Sequence, residues 1–241
     1  MKNPRQFPLR PAAGFTLLEM MIVTAILGLI SMMSLGFFTE SIKATFTNEQ
    51  KNLINRDIRR LTAELSHAAR EANFVILYRS FASDDRDSVG DRLLAGNPGD
   101  FLVFGFQDEP DLTVSVNAPQ QIVRLTGYYR APSHPGDPSS TGPVRKFDTD
   151  IDFDFAANGE PLLAPEDPLE APSVEEILET LYPDSTLSAN PEVVAMSEGL
   201  ADRRLFYNFG RGTIMVNGKI IHGVEAKRVT DTYNFTISTR R

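Results

Sequence analysis

Four aspartates at alternate positions, Asp148, Asp150, Asp152 and Asp154, are the densest group of metal-competent side chains in the sequence. On a β-strand alternate residues share a face, so all four carboxylates would point the same way and could offer oxygen ligands to calcium. An EF-hand loop begun at Asp148 fails, because Phe153 stands where that loop needs glycine and Gly159 where it needs the closing glutamate. Ile151, Phe153 and Phe155 fill the intervening positions, so a strand with one solvated and one buried face accounts for the same alternation. His67, His134 and His222 lie far apart, with no HExxH pair and no nucleophile elbow, and each reads as an ordinary polar residue. The chain contains no cysteine, which removes thiol nucleophiles, CxxC redox chemistry, cysteine-type zinc sites and disulfides together. No catalytic residue, cofactor or metal is expected beyond the weak calcium candidates, and the lack of a GxxxxGK[ST] loop assigns any ATP work to a partner.

The formal net charge is -8, and Lys2, Arg5 and Arg10 sit before any acid, so the rest of the chain is more acidic still. Its basic residues are single or in short pairs such as Arg59-Arg60, Arg203-Arg204 and Arg240-Arg241. Nucleic-acid binding needs clustered cations to release counterions, so no nucleic-acid partner is expected.

One further acid is out of place. From Phe15 to Phe38 the sequence reads FTLLEMMIVTAILGLISMMSLGFF, and Glu19 is its single charge. As a helix this run spans about 36 Å, enough to cross a hydrocarbon core of roughly 30 Å. The preceding Lys2, Arg5 and Arg10 put the N-terminus on the cytoplasmic side and everything after Phe38 outside. An ordinary secretory signal is shorter and is cut after its apolar core, which this run does not match. A plain signal anchor explains the length but not Glu19, since a carboxylate inside a membrane costs on the order of 2 to 3 kcal/mol and calls for a partner.

The stretch GFTLLEMMIVTAILGLIS, a short basic leader ending in Gly14 followed by Phe15, Thr16, Leu17, Leu18 and Glu19, resembles the class III signal of type IV prepilins and pseudopilins. The resemblance implies that a prepilin peptidase cuts between Gly14 and Phe15 and methylates the new amine of Phe15. It implies that Glu19, fifth in the mature chain, takes part in subunit assembly. A cationic amine at Phe15 and a neighbouring subunit's Glu19 would neutralise each other in a low-dielectric bundle and set the axial register.

The elements that carry these residues follow from periodicity. Apolar residues at Phe38, Ile42, Phe46, Ile54, Ile58, Leu61, Leu65, Ala69 and Ala72 recur at helical spacing, which continues the helix to about residue 72. Gly28 and Gly36 are weak points within it, open to two readings, local stretching during assembly or close helix packing. Short β-rich runs follow at 74–78, 101–106, 112–116, 122–130 and 232–239, and 213–216 with 219–222 flank Asn217-Gly218, a strong hairpin signal. The acidic, proline-rich stretch 156–203 reads as a loop insertion or a partner surface, with one helix at 173–182 capped by Ser173 and Glu176.

The expected architecture is α+β, a long N-terminal helix packed on an antiparallel sheet, the lollipop shape of pilins. It divides into a leader at 1–14, a transmembrane and assembly helix at 15–38, its amphipathic continuation at 39–72 and a β-rich domain at 73–241. The expected role is a minor pilin or type II secretion pseudopilin, held in the inner membrane with its domain in the periplasm. Its partners would be the prepilin peptidase and methyltransferase, other pilins or pseudopilins, an inner-membrane assembly platform and the lipid bilayer. The alternative is an anchored binding or enzyme domain that uses the segment only for export. Pilus and secretion system stay undivided at this stage.

Overall fold

The computed structural model describes residues 16–107, 121–134, 137–151, 172–223 and 228–239. Helix α1 (Leu17–Glu71) runs unbroken for 55 residues, one turn or less from both expected ends. The chain forms two compact units, residues 1–49 and 50–241. In the first, residues 16–45 are all exposed, although an 18-residue window of this helix has a mean hydropathy of 2.2. By length and composition it can cross a membrane.

In the second unit α1 presents Ile54, Leu61, Leu65, Ala68 and Ala69 to the core, the helical stripe the spacing predicts. Nine strands follow in one antiparallel sheet among the described residues: β1 (Phe74–Tyr78), β2 (Pro98–Gly99), β3 (Phe101–Gln107), β4 (Ile122–Arg130), β5 (Gly142–Asp150), β6 (Glu192–Gly199), β7 (Phe206–Gly210), β8 (Thr213–His222) and β9 (Val229–Ser238). Their order is β1-β3-β4-β5-β6-β8-β7-β2. Strand β8 pairs with β9 along its whole length, so β6 and β7 must share its other side.

Over β1, β3, β4 and β5 the sheet is buried on both faces. Leu102, Phe104, Tyr128, Val144, Ile214, Val216, Tyr233 and Ile237 join the α1 stripe in one cluster. The opposite face holds Tyr78, Phe101, Tyr129 and Phe147 under helix α2 (Val174–Leu181), which contributes Val174, Ile177 and Leu178. Strand β3 feeds both clusters, which is why FLVFGF is apolar throughout rather than alternating. Its Gly105 is required by close approach, since a Cβ there would stand 2.0 Å from the Phe74 ring.

Two expectations are corrected. Asn217-Gly218 is no hairpin: β8 continues straight through it, with Asn217 opposite Asn234 and Gly218 opposite Tyr233. Glycine stands there because a Cβ would be 2.5 Å from the Tyr233 Oη and 2.7 Å from the Leu205 Cδ1. The stretch 156–203 is also no mere decoration, because β6 lies between β5 and β8 inside the sheet and α2 covers the second core. Its helix does start as expected, with Ser173 and Glu176 each bonding the other's backbone. The strand expected at 112–116 lies outside the described residues.

Candidate functional site

The first candidate is the start of α1. Thr16 N–H and Thr16 Oγ1 both donate to Glu19 Oε2, at 2.9 and 3.0 Å, while Glu19 N–H donates back to Thr16 Oγ1 at 3.2 Å. Met20 N–H reaches Thr16 O at 3.1 Å, which makes Thr16 the N-cap and Glu19 its partner three residues on. Glu19 thus has donors within its own chain, and its carboxylate sits at the positive end of the helix dipole. The TxxE spacing before an apolar run is readable in the sequence, yet reading Glu19 as a charge in search of a neighbour overlooks it. Gly14 and Phe15 lie outside the described residues.

Further along, hydroxyls are satisfied by the helix itself. Thr24 Oγ1 donates to Met20 O at 2.9 Å, and Thr39 Oγ1 to Gly36 O at 2.8 Å. Such back-bonding lets a polar side chain sit in an apolar medium without an outside partner. A Cβ on Gly28 or Gly36 would meet nothing within 4 Å, so packing within this chain does not demand either glycine.

The other sequence candidates do not converge. His67 is exposed beside Glu71, His134 bonds its loop neighbours Ser133, Asp137 and Ser140, and His222 Nε2 lies 2.9 Å from Asp57 Oδ2, which ties the end of β8 to α1. Asp148 accepts from Arg124 Nε at 3.0 Å and Thr126 Oγ1 at 2.8 Å, with Lys146 Nζ at 3.5 Å. It therefore belongs to a surface ion-pair cluster with cations on two strands. Asp150 ends β5, and Asp152 and Asp154 lie outside the described residues. Among the described residues no three His, Asp or Glu side chains form a group able to hold a metal.

The structure adds polar centres that no motif announces. Arg92 grips the buried Glu175 with both prongs, Nε to Oε1 and Nη2 to Oε2, each at 2.7 Å, and Tyr78 Oη donates to the same Oε1 at 2.6 Å. Burial pushes Glu175 up, but the bonds from Arg92 and Tyr78 outweigh it and hold the carboxyl below its ordinary range. Burial and the adjacent carboxylate push the Tyr78 phenol far above its ordinary value. This trio fastens α2 and the loop at 89–93 to β1.

On the other side of the sheet Asp100 receives Arg130 Nε and Nη2 at 3.0 and 2.8 Å, Arg204 Nη1 at 3.3 Å and Leu205 N–H at 2.9 Å. Arg130 also donates to the carbonyls of Pro138, Ser140 and Arg203, so one buried guanidinium closes the loop before β5 and the turn at 201–204. In that turn Asp202 and Arg203 take left-handed φ values of 52° and 64°, which the anchoring on both sides sustains. Arg86 is buried among Phe81 and Phe101 and donates to the carbonyls of Phe81 and Tyr182, and burial lowers its pKa. Among the described residues that line a cleft beside β1, Arg92 alone is charged, and Glu175 already holds that guanidinium. All three centres have the geometry of structural clamps, each group spent on a partner within the fold.

A family model described as the prokaryotic N-terminal methylation motif matches residues 9–35. Neither a curated protein nor a solved structure matches the chain. The chain thus carries that motif at the head of a long apolar helix, consistent with a type IV pilin-like class III signal.

Proposed function

We propose that this chain is the precursor of a structural subunit, a minor pilin or type II secretion pseudopilin, built into a pilus or pseudopilus through α1. The observation that carries the reading is the methylation motif at residues 9–35, set at the head of one unbroken helix that is exposed and apolar first and packed against an antiparallel sheet later. In this reading residues 1–14 are the leader, and prepilin peptidase cuts between Gly14 and Phe15 and methylates the new amine. Residues 15–38 hold the protein in the inner membrane with its N-terminus cytoplasmic, and the domain at 73–241 is periplasmic. An assembly platform then moves the subunit into a filament with other pilins or pseudopilins.

Glu19 serves twice. Its Oε2 keeps the bonds from Thr16 that start the helix, and its Oε1 accepts the Phe15 amine of a neighbouring subunit. Two charges that are each costly in hydrocarbon cancel in this pair, which fixes the axial register of adjacent helices. The test is the intact mass and N-terminal peptide of the protein from membranes of its native host. A chain beginning at methylated Phe15 is expected; one beginning at Met1, or cut beyond Phe38, overturns the reading.

A further inference from the structure

Strand β9 pairs with β8 through ten consecutive partners, from Thr213 opposite Ser238 to His222 opposite Val229, without a bulge. Among the described residues no strand lies on its other side. In an antiparallel ladder the N–H and C=O of one residue point the same way and those of the next point the opposite way. Thr239 N–H donates to Gly212 O at 3.1 Å, so the odd-numbered residues of β9 face β8. Thr230, Thr232, Asn234, Thr236 and Ser238 therefore turn their backbone groups outward. Thr232 fixes the same phase independently, because its N–H is taken by the Asp231 carboxylate at 2.9 Å rather than by β8. All five outward residues are exposed.

Sheet edges are ordinarily guarded by short length, proline, lysine or a bulge. The sequence VTDTYNFTIS has none of these, and Asp231 is its single charge. The other edges of the sheet are guarded. β2 has two residues, and β1 has five, with its Leu77 O already receiving Leu93 N–H at 2.8 Å.

We propose that the outer edge of β9 is a docking site for an extended strand of a different polypeptide, which joins the sheet along Thr230–Ser238. Donors and acceptors that recur at every second residue are matched only by another extended backbone. Side chains of the incoming strand would continue the row of Tyr233, Phe235 and Ile237 with apolar groups on one face. On the other face small hydroxyl or β-branched groups fit beside Thr230, Thr232 and Thr236. A basic residue opposite Asp231 would release Thr232 N–H for the new ladder.

A second copy of this chain fits less well. Antiparallel pairing of two β9 strands places a dyad normal to the sheet, which reverses the part of α1 packed on that sheet. Copies held in one membrane by the same end of α1 keep one direction, a point that rests on the anchoring proposed above. Among the described residues a copy in the same orientation could offer β2, which has two residues, or β1, whose edge Leu93 has partly closed.

The test is hydrogen exchange at single-residue resolution on the full-length chain, once in membranes of its native host and once purified in detergent. In native membranes the amides of Thr230, Asn234, Thr236 and Ser238 should exchange at least about tenfold more slowly than in the purified protein, while the odd-numbered amides bonded to β8 are equally protected in both. Asn234→Pro removes an outward N–H without touching the β8 ladder and should return the remaining outward amides to the purified rate. If the odd-numbered amides lose protection in that variant, the strand itself is disturbed, and Thr236→Lys gives the same reading with a charge. Equal rates in both preparations overturn the proposal, as does a slowing that ignores the alternation and so reports simple burial. Protection already present in the purified protein also overturns it, as pairing with a second copy where it depends on concentration and as cover by the chain itself where it does not. A precursor still beginning at Met1 but showing the alternation would remove the anchoring reading and leave the strand site standing.

Discussion

Arg92 and Glu175 are 83 residues apart, with β2, β3, β4 and β5 between them in the chain, yet they meet in a two-pronged ion pair at 2.7 Å with the carboxylate only 3 % exposed. Replacing Glu175 with alanine leaves Arg92 and Tyr78 without their acceptor. The loss should be on the order of 2 to 4 kcal/mol of unfolding free energy, measured by urea denaturation. The folded pKa of Glu175 lies below the ordinary value, so its stabilisation is present above the unfolded pKa and is lost as pH falls through the folded one. The wild type should therefore lose stability on acidification over a range in which Glu175→Gln changes less.

Tyr233 supplies the alkaline counterpart. Burial pushes its phenol up to about 12, from an ordinary value of 10.0. A group whose folded pKa is raised stabilises fully below its unfolded pKa, and the contribution fades as pH rises through the folded one. Thermal midpoints should fall between those two values, and Tyr233→Phe should flatten the fall.

Gly218 tests whether β8 is continuous. Since a Cβ would stand 2.5 Å from Tyr233 Oη, Gly218→Ala should cost about 1 to 3 kcal/mol by overpacking, read from the shift of the denaturation midpoint. A solvent-exposed hairpin tip would not produce that clash.

Thr16 and Glu19 can be separated by assembly rather than by stability. Glu19→Ala should give a cleaved, membrane-resident protein that does not enter filaments, whereas Thr16→Ala, which removes the cap but keeps the carboxylate, should still be incorporated. Equal defects, scored as the share of protein in sheared filaments, would reduce Glu19 to a helix cap.

In the proposed reading Gly14 marks the leader boundary. A bulky residue such as leucine in its place should leave the precursor uncut, seen as retention of the full-length band on immunoblots. Complete processing of Gly14→Leu would remove the peptidase assignment.

Local features were legible where one principle dominates. Strands β1 and β4 begin and end where the β-rich runs do, α1 follows its apolar stripe, and α2 is announced by Ser173 and Glu176. Strand β6 was hidden because EVVAMSEG has adjacent buried residues at Val193 and Val194 and no steady alternation, inside a stretch dominated by proline and acid. Asn217-Gly218 misled because glycine answers two needs, a reversed turn and a close approach, and only the positions of Tyr233 and Leu205 decide between them. The clamps on Asp100 and Glu175 were invisible for a different reason. Their partners are fixed by topology, and spacing along the chain carries no trace of them.

Asp100 also has a temporal consequence. Its carboxylate needs the guanidinium of Arg204 and the amide of Leu205, and Ile54 shares its cluster with Ile237. A chain emerging from its N-terminal end can lay down α1 and β1 early, but it cannot seal either arrangement until nearly all of the polypeptide has followed. Such a domain stays loose until its last strands have joined and locks only then. A copy that stops short of β9 would keep its apolar stripe open to proteases, so truncated copies would clear themselves.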